Sequence, residues 1–179
     1  MMSKNLTDFL LSYERKISDA IKLEKQIFGN ETSRDEYYAN MKRGLQIEIC
    51  YGKDDNPIAF IAVYNRTYYI DTTDGRKTKI SRHLWLCGVL PEFRNVGLMK
   101  GLFRQCFSRD PNFSTLICKD ERGYESPTII SVHTYPDYYQ DMLKFIKKYG
   151  FNEECELEGK YKNRGRFVRY TVEVEKIKF

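Results

Sequence analysis

The chain has no cysteine pair at metal-site spacing and no long apolar run. Its five cysteines, Cys50, Cys87, Cys106, Cys118 and Cys155, are odd in number, widely scattered and free of any CxxC pair. That excludes a disulfide framework and a zinc ribbon. With only two histidines beside them, no metal-ligand spacing arises, and no metal is expected. No apolar stretch approaches the roughly 18–20 residues of a membrane helix. The start, Met1-Met2-Ser3-Lys4-Asn5, lacks the basic beginning, apolar middle and small-residue cleavage site of a secretory signal. A soluble, cytoplasmic protein that does not engage a membrane is therefore expected. Internal repeats, low-complexity segments, a P-loop and a Rossmann glycine pattern are also missing.

What is present suits one compact domain. The 179 residues are 41% apolar and 15% aromatic, enough for a sizeable core. The net charge of +5 is modest and mixed with acids. A nucleic-acid binder concentrates its basic residues on one face. The densest basic stretch here, Lys160–Arg169, reads as a solvated hairpin, so nucleic acid is not an expected partner. A positive surface also suits a polyanionic small molecule, and charge does not separate the two.

Periodicity places the elements. Ile17, Ala20, Ile21, Ile27 and Phe28 recur at helical spacing behind Ser18, a cap candidate, until Gly29. A second short helix is predicted from about Ser33 to Lys42. The period then becomes two: a strand over 45–51, a turn at Asp54-Asp55-Asn56-Pro57, and a longer strand over 58–70. Asp74-Gly75 is a hairpin signal. The nearly continuous apolar run over 81–90 reads as a strand buried on both faces and ended by Pro91. A helix is predicted just after Arg94, with Leu98, Leu102, Phe103 and Cys106 on one stripe. The stretch 110–127 is irregular apart from Leu116-Ile117-Cys118. A strand over 128–133, a helix over 138–149 stopped by Gly150, and a last strand or pair ending in 167–174 complete an α/β domain with a mixed, mostly antiparallel sheet.

The informative segment is Val89-Leu90-Pro91-Glu92-Phe93-Arg94-Asn95-Val96-Gly97-Leu98-Met99. A buried strand runs through a tight loop into a helix, whose first amides lack intrahelical partners and carry the positive end of its dipole. That is a site for a diphosphate. Gly97 lets backbone approach phosphate, and Arg94 supplies a full charge. The bland alternative is that Gly97 permits close helix–strand packing and Arg94 is a solvated cap.

This run resembles the acetyl-CoA motif of the GCN5-related N-acetyltransferases (GNAT), Val-x-Pro-x-aromatic followed by Arg/Gln-x-x-Gly-x-Gly/Ala. Val89, Pro91, Phe93, Arg94 and Gly97 match, Leu102 fits the leucine that follows, and Met99 departs from the final small residue. Tyr138–Phe151, ending in Lys147-Lys148-Tyr149-Gly150-Phe151, is similar to the helix and "Gly-Phe" that close the family's cofactor cleft. The resemblance spans about 18–176.

The resemblance implies a single GNAT domain with splayed central strands forming an acetyl-CoA cleft, and direct transfer of acetyl from acetyl-CoA to a primary amine. The backbones of Cys87 and Val89 would pair with pantetheine. Arg94, Asn95, Val96, Gly97, Leu98 and Met99 would wrap the pyrophosphate. Tyr139 stands where the family often has an Asn that meets the cofactor. The amide of Val89 would hold the developing oxyanion.

His83, the polar interruption of an apolar strand, is the candidate general base. Alternation puts it on the same face as Trp85 and Cys87. It also matches the strand position of the catalytic Glu in the histone-acetylating branch. Ile146 replaces the usual general-acid Tyr, leaving Tyr138 and Tyr139 as substitutes. His133 is a core or edge residue or lines the cleft. Cys87 in a dry strand is expected to be inert rather than a nucleophile.

The acceptor would lie between the early acids Glu31, Asp35 and Glu36 and the late bases Lys160, Lys162, Arg164 and Arg166. That favours an amine also carrying a carboxylate or phosphate. Three readings stay open: a small-molecule or peptide N-acetyltransferase, a protein lysine or N-terminal acetyltransferase, and a non-catalytic acyl-CoA-binding module. A homodimer also remains open.

Overall fold

A computed structural model describes residues 4–29, 32–73, 75–107, 129–158 and 164–177. The order is α1 (Lys4–Phe28), α2 (Arg34–Met41), β1 (Gln46–Tyr51), β2 (Pro57–Thr72), β3 (Gly75–Val89), α3 (Leu98–Phe107), β4 (Ile129–Thr134), α4 (Gln140–Lys148), β5 (Asn152–Leu157) and β6 (Phe167–Glu173). Hydrogen bonding orders the strands β1-β2-β3-β4-β6-β5 in one sheet. The β1/β2, β4/β6 and β5/β6 pairs are antiparallel and β3/β4 is parallel, the mixed and mostly antiparallel sheet expected. Contacts divide the chain into two compact units, Met1–Tyr64 with Leu86–Leu116, and Asn65–Trp85 with Ile117–Phe179. The long strands β2 and β3 each run through both. Among the described residues no helix is long and apolar enough to cross a membrane.

In the first unit the core is built on β2, buried at five consecutive positions from Ala59 to Val63, as a strand covered on both faces must be. Ile17, Ala20 and Leu23 of α1, Ile47 of β1, and Leu102, Phe103 and Phe107 of α3 complete it. Polar bonds fix the register of α1 on β1. Tyr13 donates to the Leu45 carbonyl at 2.6 Å, Lys16 meets Glu48 at 3.1 Å, and Tyr51 donates to Asp19 at 2.8 Å. Glu24, 3% exposed, ties the end of α1 to the start of α2. Its carboxylate accepts from the Thr32 amide at 3.0 Å and the Thr32 hydroxyl at 2.6 Å. Burial raises its pKa, against the pull of those bonds.

Two helix starts differ from expectation. Helix α1 begins at Lys4, so Ser18 lies inside it, where its hydroxyl accepts from Arg34 at 2.9 Å. The cap is Ser33, whose side chain accepts from the Glu36 amide at the start of α2. The exposed positions of the early turns of α1 are polar as often as apolar, which masked their period.

In the second unit β4 lies between β3 and β6. One face of these three strands is apolar: Leu84, Ile130, Val132, Val168, Tyr170 and Val172 are all buried, as are Ile146, Tyr149 and Phe151 of α4 and its exit. Strand alternation puts a different set on the other face, described below. The edge strand β5, Asn-Glu-Glu-Cys-Glu-Leu, carries acids at exposed positions. Its lack of apolar alternation left it unseparated from the last strand in sequence. Asp74 of the hairpin signal, Glu31, Lys160, Lys162 and the 110–127 stretch with Cys118 lie outside the described residues.

Candidate active site

The turn after β3 is set by backbone conformation. Pro91 opens a 3₁₀ turn closed by the Phe93 amide on the Leu90 carbonyl at 2.9 Å and the Arg94 amide on the Pro91 carbonyl at 3.3 Å. Asn95 and Gly97 then take positive φ, 66° and 87°. Left-handed residues at alternate positions turn successive amides to one side, the geometry of an anion nest. Helix α3 follows at Leu98, not directly after Arg94 as predicted, because those two residues must first redirect the chain. Its first-turn amides are those of Leu98, Met99 and Lys100.

Residues 91–97 are all exposed. A Cβ at Gly97 would meet nothing within 4 Å, so its φ, not close packing, requires glycine there. Close packing belongs to Gly88, where a Cβ would lie 2.7 Å from Ile27 Cδ1 and 3.4 Å from Phe60. Arg94 is exposed and caps the 3₁₀ turn, and its Nε also donates to the Val89 carbonyl at 3.2 Å, which tethers the cation at the base of the turn. Cys87 is buried, and burial pushes its thiol up to about 12. It is therefore inert at neutral pH.

The other sequence candidates lie in the second unit. On the polar face of the sheet, Ser81 and His83 of β3 stand beside Ser131 and His133 of β4, and His133 pairs in register with Arg169 of β6. The hydrogen bonds form a directed chain. The Ser81 hydroxyl donates to the Arg66 carbonyl at 3.3 Å, so at its 2.7 Å contact with Ser131 it must accept. Ser131 has then spent its proton. Its 3.0 Å contact with His83 Nδ1 requires Nδ1–H, which leaves the lone pair of His83 on Nε2.

His133 takes the opposite tautomer. The Arg66 guanidinium can only donate, at 3.3 Å, so His133 Nδ1 accepts and Nε2 carries the proton. The two rings meet edge-on at 4.6 Å.

His83 is 3% exposed and His133 half-buried. Burial first, then His133, Arg66 and Arg169, hold the His83 pKa well below its ordinary value. Burial, Arg66 and Arg169 bring His133 down to about 3. Both imidazoles are neutral at physiological pH. Arg66, Ser81, Ser131 and Arg169 escaped sequence reading, although Ser81-x-His83 and Ser131-x-His133 repeat one alternation in neighbouring apolar strands.

Tyr138 and Tyr139 precede α4 rather than lying in it. Both amides donate to the Tyr135 carbonyl, at 3.1 and 2.8 Å, and Tyr139 is the N-cap residue. Arg164 donates to the Tyr139 hydroxyl at 2.5 Å and lies 4.9 Å over the Tyr138 ring. Arg164 occupies an acceptor position of the Tyr139 phenol, not its proton. Cys87, Val89 and Arg94–Met99 thus fall together in the first unit, and His83, Tyr138 and Tyr139 in the second. Among the described residues no cluster of His, Cys, Asp or Glu is placed to hold a metal.

No sequence model of a known family matches the chain, and no curated protein matches it. Solved structures do. The chain is similar to Arabidopsis thaliana Naa50 in complex with the bisubstrate analogue CoA-Ac-MVNAL, at 16% identity over 96% of this chain and 94% of that one, with a TM-score of 0.53. It is similar to the ribosomal-protein-S18-alanine N-acetyltransferase of Escherichia coli, at 14% identity over 88% and 87% of the chains, with a TM-score of 0.59. An acetyltransferase of Desulfovibrio desulfuricans assigned to the GNAT family gives 14% identity over 89% and 93%, with a TM-score of 0.59.

This is the GNAT fold. At these identities the likeness is one of architecture. Within it, the residues that carry the GNAT resemblance take definite places. Pro91 opens the 3₁₀ turn, Gly97 has positive φ and Leu102 is buried in α3. Met99, which departs from the motif, lies in the first turn of α3.

Proposed function

We propose that this chain transfers an acetyl group from acetyl-CoA to a primary amine. The observation that carries the reading is the exposed turn over 91–97, with left-handed Asn95 and Gly97 and a tethered guanidinium leading into α3, on a GNAT fold. The amides of residues 95–99 and Arg94 hold the diphosphate, and the backbones of Cys87 and Val89 hold the pantetheine arm. Acetyl-CoA supplies an activated thioester. The Val89 amide points its partial charge at the carbonyl oxygen of that group.

An alkylammonium has a pKa of about 10.4 and must shed a proton before it attacks. His83 is the base of this reading, since its directed hydrogen-bond chain leaves the lone pair on Nε2. Burial, His133 and the neighbouring arginines make it a weak base, so the ammonium loses its first proton to solvent, and His83 Nε2 accepts the proton that the nitrogen sheds once its bond to the thioester carbon has formed. Tyr139, held by Arg164, is the proton donor to the departing sulfur, and Tyr138 flanks the same cation.

A second reading, a peptide or protein amino terminus as the acceptor, is favoured by likeness to Naa50, whose structure holds a peptide-bearing analogue. Calorimetry with CoA and acetyl-CoA, followed by CoA release against a panel of small amines, lysine peptides and peptides with free amino termini, tests both. Turnover confined to peptide termini selects the second. Binding without turnover on any amine indicates a non-catalytic acyl-CoA module, and no binding at millimolar concentration removes the proposal.

A further inference from the structure

On the polar sheet face Arg66 spends one N–H on the neutral His133 ring, and among the described residues no carboxylate pairs with it. Arg169, its side chain 14% exposed, pairs with Glu154 at 3.4 Å and adds to the positive field. His133 presents its Nε2–H, since Nδ1 accepts from Arg66. Phe167 flanks that ring at 5.7 Å, and Tyr135 packs on Phe167 at 4.7 Å, an aromatic wall beside the donors. An apolar stem ending in a carboxylate fits such a surface. The planar guanidinium matches a carboxylate with two parallel N–H groups, and the imidazole N–H adds a third donor.

We propose that Arg66 and His133, in the field of Arg169, form a carboxylate subsite, and that the acceptor amine carries this carboxylate. The assignment to the acceptor rests on the acetyl-transfer reading; the subsite itself does not. It selects among amines: a carboxylate docked at Arg66 relieves the excess charge that a bare ammonium would meet there. His133 follows the Leu84↔Val132 rung of the β3/β4 pairing by one residue, and its ring contact with His83 puts the subsite next to that residue.

The test compares tetrapeptide amides that differ only in glutamate or glutamine at the first two positions. Wild type is expected to favour the carboxylate by about tenfold in kcat/KM, the worth of a hydrogen bond to a charged group. Arg66→Gln should bring the ratio near one, and Arg66→Lys should restore part of it. Transfer to both peptides at equal rates in wild type would overturn the subsite while leaving acetyl transfer standing. Because the chain has only two histidines, their ring signals give a readout that needs no turnover. Glutarate, a dicarboxylate without an amine, should shift the His133 signal in wild type at about 10 mM and not in Arg66→Gln. No shift there overturns the subsite whether or not any amine is acetylated. A shift with no preference between the peptides overturns the acceptor assignment, since the carboxylate then belongs to a separate organic acid.

Discussion

The turn after β3 and the polar face of β3, β4 and β6 are built in opposite ways. The turn presents main chain on exposed residues and owes its shape to two left-handed residues. The sheet face presents side chains, largely buried, and owes its shape to the register of neighbouring strands. A backbone device is local, so it is written in consecutive residues. A side-chain device is assembled from segments up to about a hundred residues apart, from Arg66 to Arg169, and is written nowhere in one place.

The sharpest way to break the comparison is to remove one group from each region. His83→Gln is expected to lower kcat about 100-fold with little change in CoA affinity. Because the His83 pKa is depressed, any limb it contributes to the kcat profile should lie below pH 6.5, apart from the limb of the acceptor amine, which titrates higher. An unaltered rate in the variant takes His83 out of the mechanism.

In the turn, Arg94→Ala should weaken CoA about tenfold by calorimetry while leaving the melting temperature nearly unmoved, since the side chain is exposed and among the described residues hydrogen-bonds to the Val89 carbonyl alone. Gly97→Ala should also weaken CoA and cost about 1–2 kcal/mol from the positive φ alone. A variant that keeps full affinity would show that the turn does not hold the diphosphate.

Gly88→Ala lies in neither device, standing between Cys87 and Val89 on β3, and is read through stability. The added methyl meets Ile27 Cδ1 at 2.7 Å, and overpacking of this kind costs about 1–3 kcal/mol in denaturant midpoints. Adding Ile27→Val removes the offending atom and should recover part of the loss. An additive double variant would mean that the crowding lies elsewhere.

The last effect is on pH. His83 and His133 are harder to protonate folded than unfolded, where their pKa is near 6.5. Between about 6.5 and the folded values the unfolded chain binds more protons, so stability falls as pH drops through that window and levels out above it. The slope is at most about 1.4 kcal/mol per pH unit for each histidine. His133→Asn should flatten it. Melting temperatures that rise on acidification from pH 6.5 to 5 would contradict the buried, cation-flanked placement of both rings.

Legibility followed the same division. The strands β1 to β4 and the turn at Pro91 were readable because alternation, Pro and Gly act over a few residues. Ser18 was mistaken for a cap because a polar residue before an apolar stripe looks the same inside a helix as at its start. Tyr138 and Tyr139 fit the stripe of α4 by spacing, but their amides already serve the Tyr135 carbonyl in a turn. His83 was identifiable as an anomaly in an apolar strand. Its Ser81 and Ser131 partners, its tautomer and the arginines that keep it neutral were not, because they depend on which strand lies beside β3 and in what register.

The exposure of residues 91–97 has a consequence for mutational freedom. Substitutions there, Gly97 and Asn95 with their left-handed φ apart, are expected to leave folding largely intact. The polar sheet face has less latitude, because Ser81, His83 and Ser131 are buried and hydrogen-bonded to one another. Sequence drift can accumulate at the turn, while change at the sheet face has to arrive several residues at a time.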